Sequence, residues 1–447
     1  MEEREMSVYL RNISIKGIKN LCNEVELVFS KKEIKKFSEL RNYNIKTIYG
    51  PNGSGKTALV HAFQVLRDII IENGYLYDPD NAKYLYELMN KVCKTIEIKA
   101  DFFHANEGEK PAIYTYEINI TYKNASFEIV YEKYAKKASE YAKEKIIIES
   151  VNGGFIAYDL EKSLKDEFTN LLKKRSFAEI FLELFKKDLD DNDEIAADLK
   201  AGFKAIEPLY QFVFGTRVIL DSKDNHFPAL THTTEKLLEV LKFRQENKEL
   251  IKIVEETGYN TKLLTEDELK DYKEKAKKKE KFIKLFKPNI KAIKVESKLV
   301  KTSEEEDVYT VNDFIDYGDY SIDIELESVG IKKLMNLYTS LKHLSIGGIL
   351  VIDELDSHIN DIYLVKLIEY ISKYSNGQLI FTTHNVSPME SLKSKKNSID
   401  FMSMSGKLTS WTQIGNYSPS KLYKKGMVQG LPFNIEAESF LGVFPNE

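Results

Sequence analysis

Gly50-Pro51-Asn52-Gly53-Ser54-Gly55-Lys56-Thr57 satisfies the pattern G-x-x-x-x-G-K-[ST] at every position. Glycines at that spacing let consecutive backbone N–H groups turn inward as a nest for anionic oxygens, and a helix opening at Lys56 adds its positive dipole end. The chemistry expected is binding of a nucleotide's phosphates by Asn52, Gly53, Ser54, Gly55, Lys56, Thr57 and Ala58, with Lys56 on the β/γ-phosphates and Thr57 on Mg2+. A chance match in a chain this long is on the order of one per cent by average composition, so an ordinary Gly-rich turn is the weaker reading.

Three further groups could complete such a site. Ile349-Leu350-Val351-Ile352 runs into Asp353-Glu354. Where phosphoryl groups are transferred, a strand-end aspartate holds Mg2+ and a neighbouring glutamate polarises the attacking water. Many strands end in acids at a turn, so this pair gains weight only beside the P-loop. Thr382-Thr383-His384-Asn385 follows the next apolar run, which puts His384 at the C-terminal edge of a parallel sheet, where ligands bind. Ser328, before Gly330, opens an apolar-periodic helix. That is first of all an N-cap, and equally the geometry of a phosphate-binding helix terminus.

The elements that must position these residues can be read from periodicity. Residues 8–29 alternate apolar and polar about a turn at Lys19-Asn20, as two antiparallel strands do. Ile45–Tyr49 is a short strand entering the Gly-rich loop, and Ala58–Ile71 is helical. Strand patterning from 95 to 158 predicts an antiparallel sheet. Residues 160–288 read as a charged, helical insertion broken at Gly202, Pro208, 224–228 and Gly258. Strands follow at 290–301, 308–314 and 320–326, then a helix through Ile331, Leu334, Met335, Tyr338 and Leu341. Strand 349–352, helix 362–374 and strand 379–382 alternate as in a parallel sheet, which the P-loop strand is expected to join across the insertion. A hairpin at 401–413 precedes a loop-rich tail.

The 447 residues carry 65 Lys+Arg against 70 Asp+Glu, a net charge of −5. Bulk charge therefore does not mark a chain that coats nucleic acid. Residues 270–287 are an exception, with nine lysines and three acids, which is either a solvated helix face or a contact for nucleic acid or an acidic partner. The run 188–194 has Asp193 where a calcium loop needs glycine, so it reads as a surface turn. Cys22 and Cys93 stand in unrelated contexts without a CxxC pair, which fits a reducing cytoplasm. No stretch approaches the roughly 18 apolar residues of a spanning helix, so no membrane association is expected.

The order of motifs resembles the ABC-type ATPase head of the branch shared by chromosome-maintenance and double-strand-break-repair ATPases. More closely, Ile15-Lys16-Gly17-Ile18-Lys19-Asn20, Gly50–Thr57, Asp353-Glu354-Leu355-Asp356-Ser357-His358 and Gly430-Leu431-Pro432-Phe433 resemble bacterial AAA-15/AAA-21-type ATPases of anti-phage and abortive-infection systems. These include relatives of the overcoming-lysogenisation-defect proteins and the ATPase of the PARIS system. The resemblance covers roughly 8–160 and 290–445.

It implies an α/β fold: a P-loop NTPase head of ABC type with an antiparallel β subdomain and a helical insertion. The expected division is 1–159, N-terminal half of the head; 160–288, insertion; 289–447, C-terminal half. ATP and Mg2+ are the implied cofactors. Asp353 would assist the metal, Glu354 would be the general base and His384 the switch histidine. Ser328 and Gly330 would contact ATP in trans, Ser357-His358 would lie in the loop crossing the dimer interface, and Lys19 and Asn20 would approach the nucleotide. A homo-oligomer of at least two chains follows, with a separately encoded effector, toxin or nuclease, and a phage protein or DNA as trigger. The alternative is a DNA-repair or chromosome-organising ATPase. The absence of a Leu-Ser-Gly-Gly-Gln signature disfavours a transporter subunit. With 63 residues after His384, no Toprim nuclease domain is expected.

Overall fold

The computed structural model describes residues 8–30, 33–105, 110–158, 171–191, 197–220, 262–301, 307–357, 359–395, 397–412 and 417–428. Expectations for His358 and for Gly430–Phe433 lie outside these.

The elements, in chain order, are β1 (Val8–Lys16), β2 (Val25–Val28), β3 (Ile45–Tyr49), α1 (Lys56–Ile71), α2 (Pro79–Leu88), β4 (Thr95–His104), β5 (Ala112–Lys123), β6 (Ser126–Lys137), β7 (Lys145–Val151) and β8 (Gly154–Tyr158). There follow α3 (Phe177–Asp191), α4 (Ala197–Phe214), β9 (Thr216–Ile219), β10 (Lys262–Thr265), α5 (Glu266–Phe286), β11 (Ala292–Lys301), β12 (Asp307–Asp316) and β13 (Ser321–Asp323). The last are α6 (Val329–Ser345), β14 (Ile349–Ile352), α7 (Asp361–Tyr374), β15 (Gln378–Thr382), α8 (Pro388–Leu392), β16 (Ile399–Met402), β17 (Leu408–Ser410) and α9 (Pro419–Lys424).

They form two compact units. The first comprises Met1–Ala229, Leu344–Asp356 and Leu364–Glu447; the second comprises Leu230–His343 and Ser357–Tyr363.

The first unit contains two sheets. One is antiparallel and seven-stranded in the order β2-β1-β4-β5-β6-β7-β8, so the opening hairpin and the 95–158 strands are one sheet. The other has six strands in the order β17-β16-β3-β15-β14-β9, all parallel except β17. Its central strands β3, β14 and β15 are buried at every residue, as continuous apolar runs covered on both faces should be. Helix α1 packs against α3, α4 and β9 and is buried over most of its length.

Three expectations for residues 160–288 are corrected here. Residues 160–288 are not one helical insertion. Strand β9, at 216–219, pairs in parallel with β14, and α3 and α4 belong to the first unit, where Phe212 of α4 stacks on Phe102 of β4 at 4.6 Å between ring centroids. The break read at Gly202 and Pro208 is absent, because α4 runs through both. Proline costs one helical hydrogen bond, but burial of Phe203, Ile206, Leu209 and Tyr210 outweighs it. Residues 188–191 likewise continue α3 instead of turning.

In the second unit β10, β12, β11 and β13 form an antiparallel sheet. Thr265 and Glu268 close a capping box at the start of α5, whose Ala276 and Ile283 meet Ile290, Ile293, Ile315, Ile331 and Met335 in one core. Of 320–326, only 321–323 is strand; 324–326 is a 3-10 turn. Among the described residues no helix is long and apolar enough to cross a membrane.

Candidate nucleotide site

Three parallel strands end side by side. Strand β15 lies between β3, which feeds the P-loop, and β14, which feeds the acids. Their C-terminal ends therefore bring residues some 300 positions apart in the chain to one sheet edge, the edge where open α/β sheets bind ligands.

The P-loop has the conformation its glycines allow. Gly53 and Gly55 take φ of +78° and +112°. A Cβ on Gly55 would lie 2.6 Å from Leu21 Cδ2 and 2.9 Å from Met402 Cε, so both left-handed backbone and close packing demand glycine there. The Lys56 ammonium is folded back onto the loop, donating to the carbonyls of Gly50 at 2.9 Å and Pro51 at 3.0 Å. Burial lowers its pKa, while Asp353, Glu354 and Asp356 act in the opposite sense. The Ser54 hydroxyl is buried with no hydrogen-bond partner in the loop's interior. An orphaned hydroxyl inside a left-handed, glycine-permitted turn at a helix N-terminus fits a cradle for phosphate oxygens.

On the acid side, Thr382 is the organising residue. Its buried hydroxyl donates to Asp353 Oδ1 at 2.6 Å and accepts from the Glu354 N–H at 2.8 Å. The Asp353 N–H donates to Ile219 O at 2.9 Å and that of Leu355 to Thr382 O at 3.1 Å, so β9 and β15 grip the turn from both sides. Glu354 sits within that grip at φ +50°, a left-handed backbone that a non-glycine residue holds at a cost of about 1–2 kcal/mol. Asp356 Oδ1 is buried and unpartnered.

Lys19 and Asn20 of the first hairpin turn meet this site. Asn20 Nδ2 donates to Gly53 O at 2.8 Å. Burial lowers the Lys19 pKa, and Asp353 raises it. One turn beyond Thr57 on α1, His61 is buried with Nδ1 at 3.1 Å from the Tyr84 hydroxyl. Burial first, then Lys19, pushes its pKa down to about 4. The base of the loop is backed by Tyr423 of α9, whose ring packs on Tyr49 and Phe401 and whose hydroxyl takes the Gly50 N–H.

The structure thus brings together Lys56, Asp353, Glu354 and the P-loop residues Asn52–Ala58. His384 stands exposed past the end of β15, with no hydrogen bond to its ring among the described residues. Ser328 and Gly330 belong to the second unit. There Ser328 Oγ accepts from the Ile331 N–H at 3.4 Å, so it caps α6.

Thr382, His61, Asp356 and Tyr423 were not singled out as site residues from sequence. Thr382 and Asp356 sit inside the motifs read, so adjacency was their signal. His61 and Tyr423 had none.

Fold and site together define a P-loop ATPase head of mixed α/β type with a large antiparallel sheet. The chain belongs to the AAA_21 family, described as AAA domain, putative AbiEii toxin, Type IV TA system, whose model matches residues 47–389. No curated protein matches the chain. Among solved structures it is similar to the Smc head domain of Pyrococcus furiosus, with an extended coiled coil and bound to the C-terminal domain of ScpA. That similarity has a TM-score of 0.40 and 17% identity over 94% of this chain and 98% of that one.

Proposed function

We propose that this chain is a Mg2+-dependent ATPase that binds and hydrolyses ATP between the heads of paired subunits. The observation that carries the reading is the Thr382 hydroxyl fixing Asp353 and Glu354 beside a P-loop whose lysine lies in the field of both acids.

Asn52, Gly53, Ser54, Gly55, Thr57 and Ala58 would hold the phosphates with backbone N–H groups, and Lys56 would leave the Gly50 and Pro51 carbonyls for the terminal phosphates. Mg2+ keeps several waters and takes one or two protein oxygens, so the Thr57 hydroxyl and the Asp353 carboxylate suffice to hold it. When bound, the ion neutralises charge building on the transferred phosphoryl group. Glu354, projected from its left-handed turn, orients the attacking water and accepts its proton. His384, exposed at the same edge, would hydrogen-bond the γ-phosphate or that water. Ser328 and Gly330, at the start of α6, would meet the nucleotide of the opposing subunit, with α6's N-terminus as the phosphate-facing element.

The test is the pair Lys56→Ala and Glu354→Gln. Lys56→Ala should weaken ATP binding at least about 100-fold, the loss of a charge-assisted phosphate contact. Glu354→Gln should bind ATP normally and lower kcat about 10²–10⁴-fold. Wild-type turnover by the purified Glu354→Gln protein sinks the mechanism.

The biological role we infer is control of a separately encoded effector, toxin or nuclease, in anti-phage defence in the cytoplasm, with a phage protein or DNA as trigger. The family's description as a toxin–antitoxin component supports it. Phage plating on cells carrying this gene with its neighbour should recover fully when Lys56 is replaced by Ala. Equal plating with and without the intact gene pair removes this role.

A second reading, a DNA-binding ATPase of chromosome-organising type, is favoured by the exposed Lys273, Lys277, Lys278 and Lys281 on α5. It requires duplex binding whose affinity falls steeply with salt and disappears when Lys277, Lys278 and Lys279 are neutralised.

A further inference from the structure

The turn that opens α6 is held by a chain of hydrogen bonds lying wholly within the second unit. Lys287, the C-cap of α5, donates from its ammonium to the Tyr317 hydroxyl at 3.0 Å. That hydroxyl donates in turn to Glu327 Oε1 at 2.7 Å, and Glu327 Oε2 accepts from the Ser328 N–H at 3.0 Å. Glu327 is buried, whereas Ser328 beside it is exposed.

Packing fixes both ends of the chain. Ala276 and Ile283 of α5 share one core with Ile331 and Met335 of α6, and Phe282 lies against Tyr338 at 5.5 Å between ring centroids. The Tyr317 ring packs on that core, stacks on Tyr320 at 5.0 Å and has the Lys287 ammonium 5.0 Å from its centroid. Burial first, then the bond to Glu327, raises the pKa of the phenol, so it remains a donor.

The chain does two things at the start of α6. A helix leaves its first N–H groups without intrahelical partners. Glu327 takes that of Ser328 and Ser328 Oγ takes that of Ile331, so among the described residues those of Val329 and Gly330 are left to face a ligand. The second effect is on charge. A bare carboxylate next to Ser328 would repel a phosphate, and the Lys287 cation, joined to it through the Tyr317 hydroxyl, offsets that charge.

We propose that Lys287, Tyr317 and Glu327 are positioning residues that set Ser328 and Gly330 for the nucleotide of the opposing subunit. This rests on the reading of Ser328 and Gly330 as the trans contact. The P-loop belongs to the first unit, so loss of the chain shows in association and turnover, not in the affinity of a single subunit for ATP.

The experiment compares the purified full chain with Tyr317→Phe, which keeps the ring and removes the hydroxyl, and with Lys287→Met and Lys287→Arg. Affinity for a fluorescent ATP analogue is measured at low protein concentration, and turnover across a protein dilution series. Light scattering with ATP and Mg2+ gives the mass of each in the Glu354→Gln background. Tyr317→Phe and Lys287→Met should bind the analogue like the wild type, yet need about 10-fold more protein to reach half-maximal specific activity and dimer mass, the loss of a charge-assisted bond. Lys287→Arg, which keeps a cation and a donor, should stay near the wild type. Wild-type concentration dependence in Tyr317→Phe, an affinity that falls in step with turnover, or a Lys287→Arg protein as impaired as Lys287→Met overturns the positioning role alone. A wild type whose specific activity and mass ignore both dilution and nucleotide removes the trans contact itself, and the positioning role with it.

Discussion

Thr382 is a residue whose value lies in its partners. Replaced by Val, it keeps its shape but leaves the Asp353 carboxylate and the Glu354 N–H without the bonds they make now. Thermal unfolding should show a loss of about 1–3 kcal/mol, and kcat should fall with ATP binding retained. A Thr382→Val protein of wild-type stability and turnover would mean that the acids are positioned otherwise. His61 and Glu132 make opposite demands on pH. His61 titrates at about 4 when folded, because burial and Lys19 disfavour its cation, against about 6.5 unfolded. Its contribution is thus present above the unfolded value and lost as pH falls toward 4, about 3 kcal/mol in all. Fully buried Glu132 accepts from Tyr116, Ser176 and Phe177, and burial pushes its pKa up to about 7. Its contribution is present below about 4.5 and lost as pH rises through 7. Denaturant melts from pH 4 to 8 should lose the acid-side decline in His61→Gln and the alkaline-side decline in Glu132→Gln. Identical profiles for wild type and both variants would refute both assignments.

Among the elements, the pairing of β3 with β16 decides how the P-loop is held. Lys46 and Asp400 meet at 2.9 Å on these neighbouring strands, almost wholly buried. A buried pair is poor evidence for net stability, since desolvation offsets the attraction, but removal of one partner strands the other's charge. Asp400→Asn should therefore cost about 3–5 kcal/mol, whereas Lys46→Met with Asp400→Leu together should lie much nearer the wild type. Equal losses for the single and the double variant in urea melts would assign the effect to packing alone. β9 illustrates why some elements escape a sequence reading. Thr216–Ile219 is four residues with an arginine inside, and it becomes a strand only because Ile349–Ile352 lies beside it. Its partner is more than a hundred residues away, so no local period announces it. The same holds for α4: a proline and a glycine argue against a helix locally, and packing on α1 and α3 overrules them.

For the whole molecule, the proposed sandwich of two heads makes association depend on nucleotide. Glu354→Gln with ATP and Mg2+ should double the mass measured by light scattering, since ATP would be bound and not consumed, while Lys56→Ala should stay at its apo mass in the same buffer. Nucleotide-independent mass in Glu354→Gln would exclude the sandwich. Ligand linkage gives a second reading of the same state, because saturating ATP at about 100 times Kd should stabilise the first unit by about 2.7 kcal/mol.

The sequence alone determined the P-loop, the acid pair and the alternation of strand and helix around them. Each is a local pattern whose chemistry is written in adjacent residues, such as the glycines that only φ above zero explains at Gly53 and Gly55. Tertiary structure decided the rest: that Thr382 bridges Asp353 and Glu354, that Thr216–Ile219 completes the parallel sheet, and that Asn20 holds Gly53. The physical reason is the same in each case. These are contacts between residues distant in the chain, made by burial and hydrogen bonding once the sheets have assembled, and one residue of such a pair carries no local trace of the other.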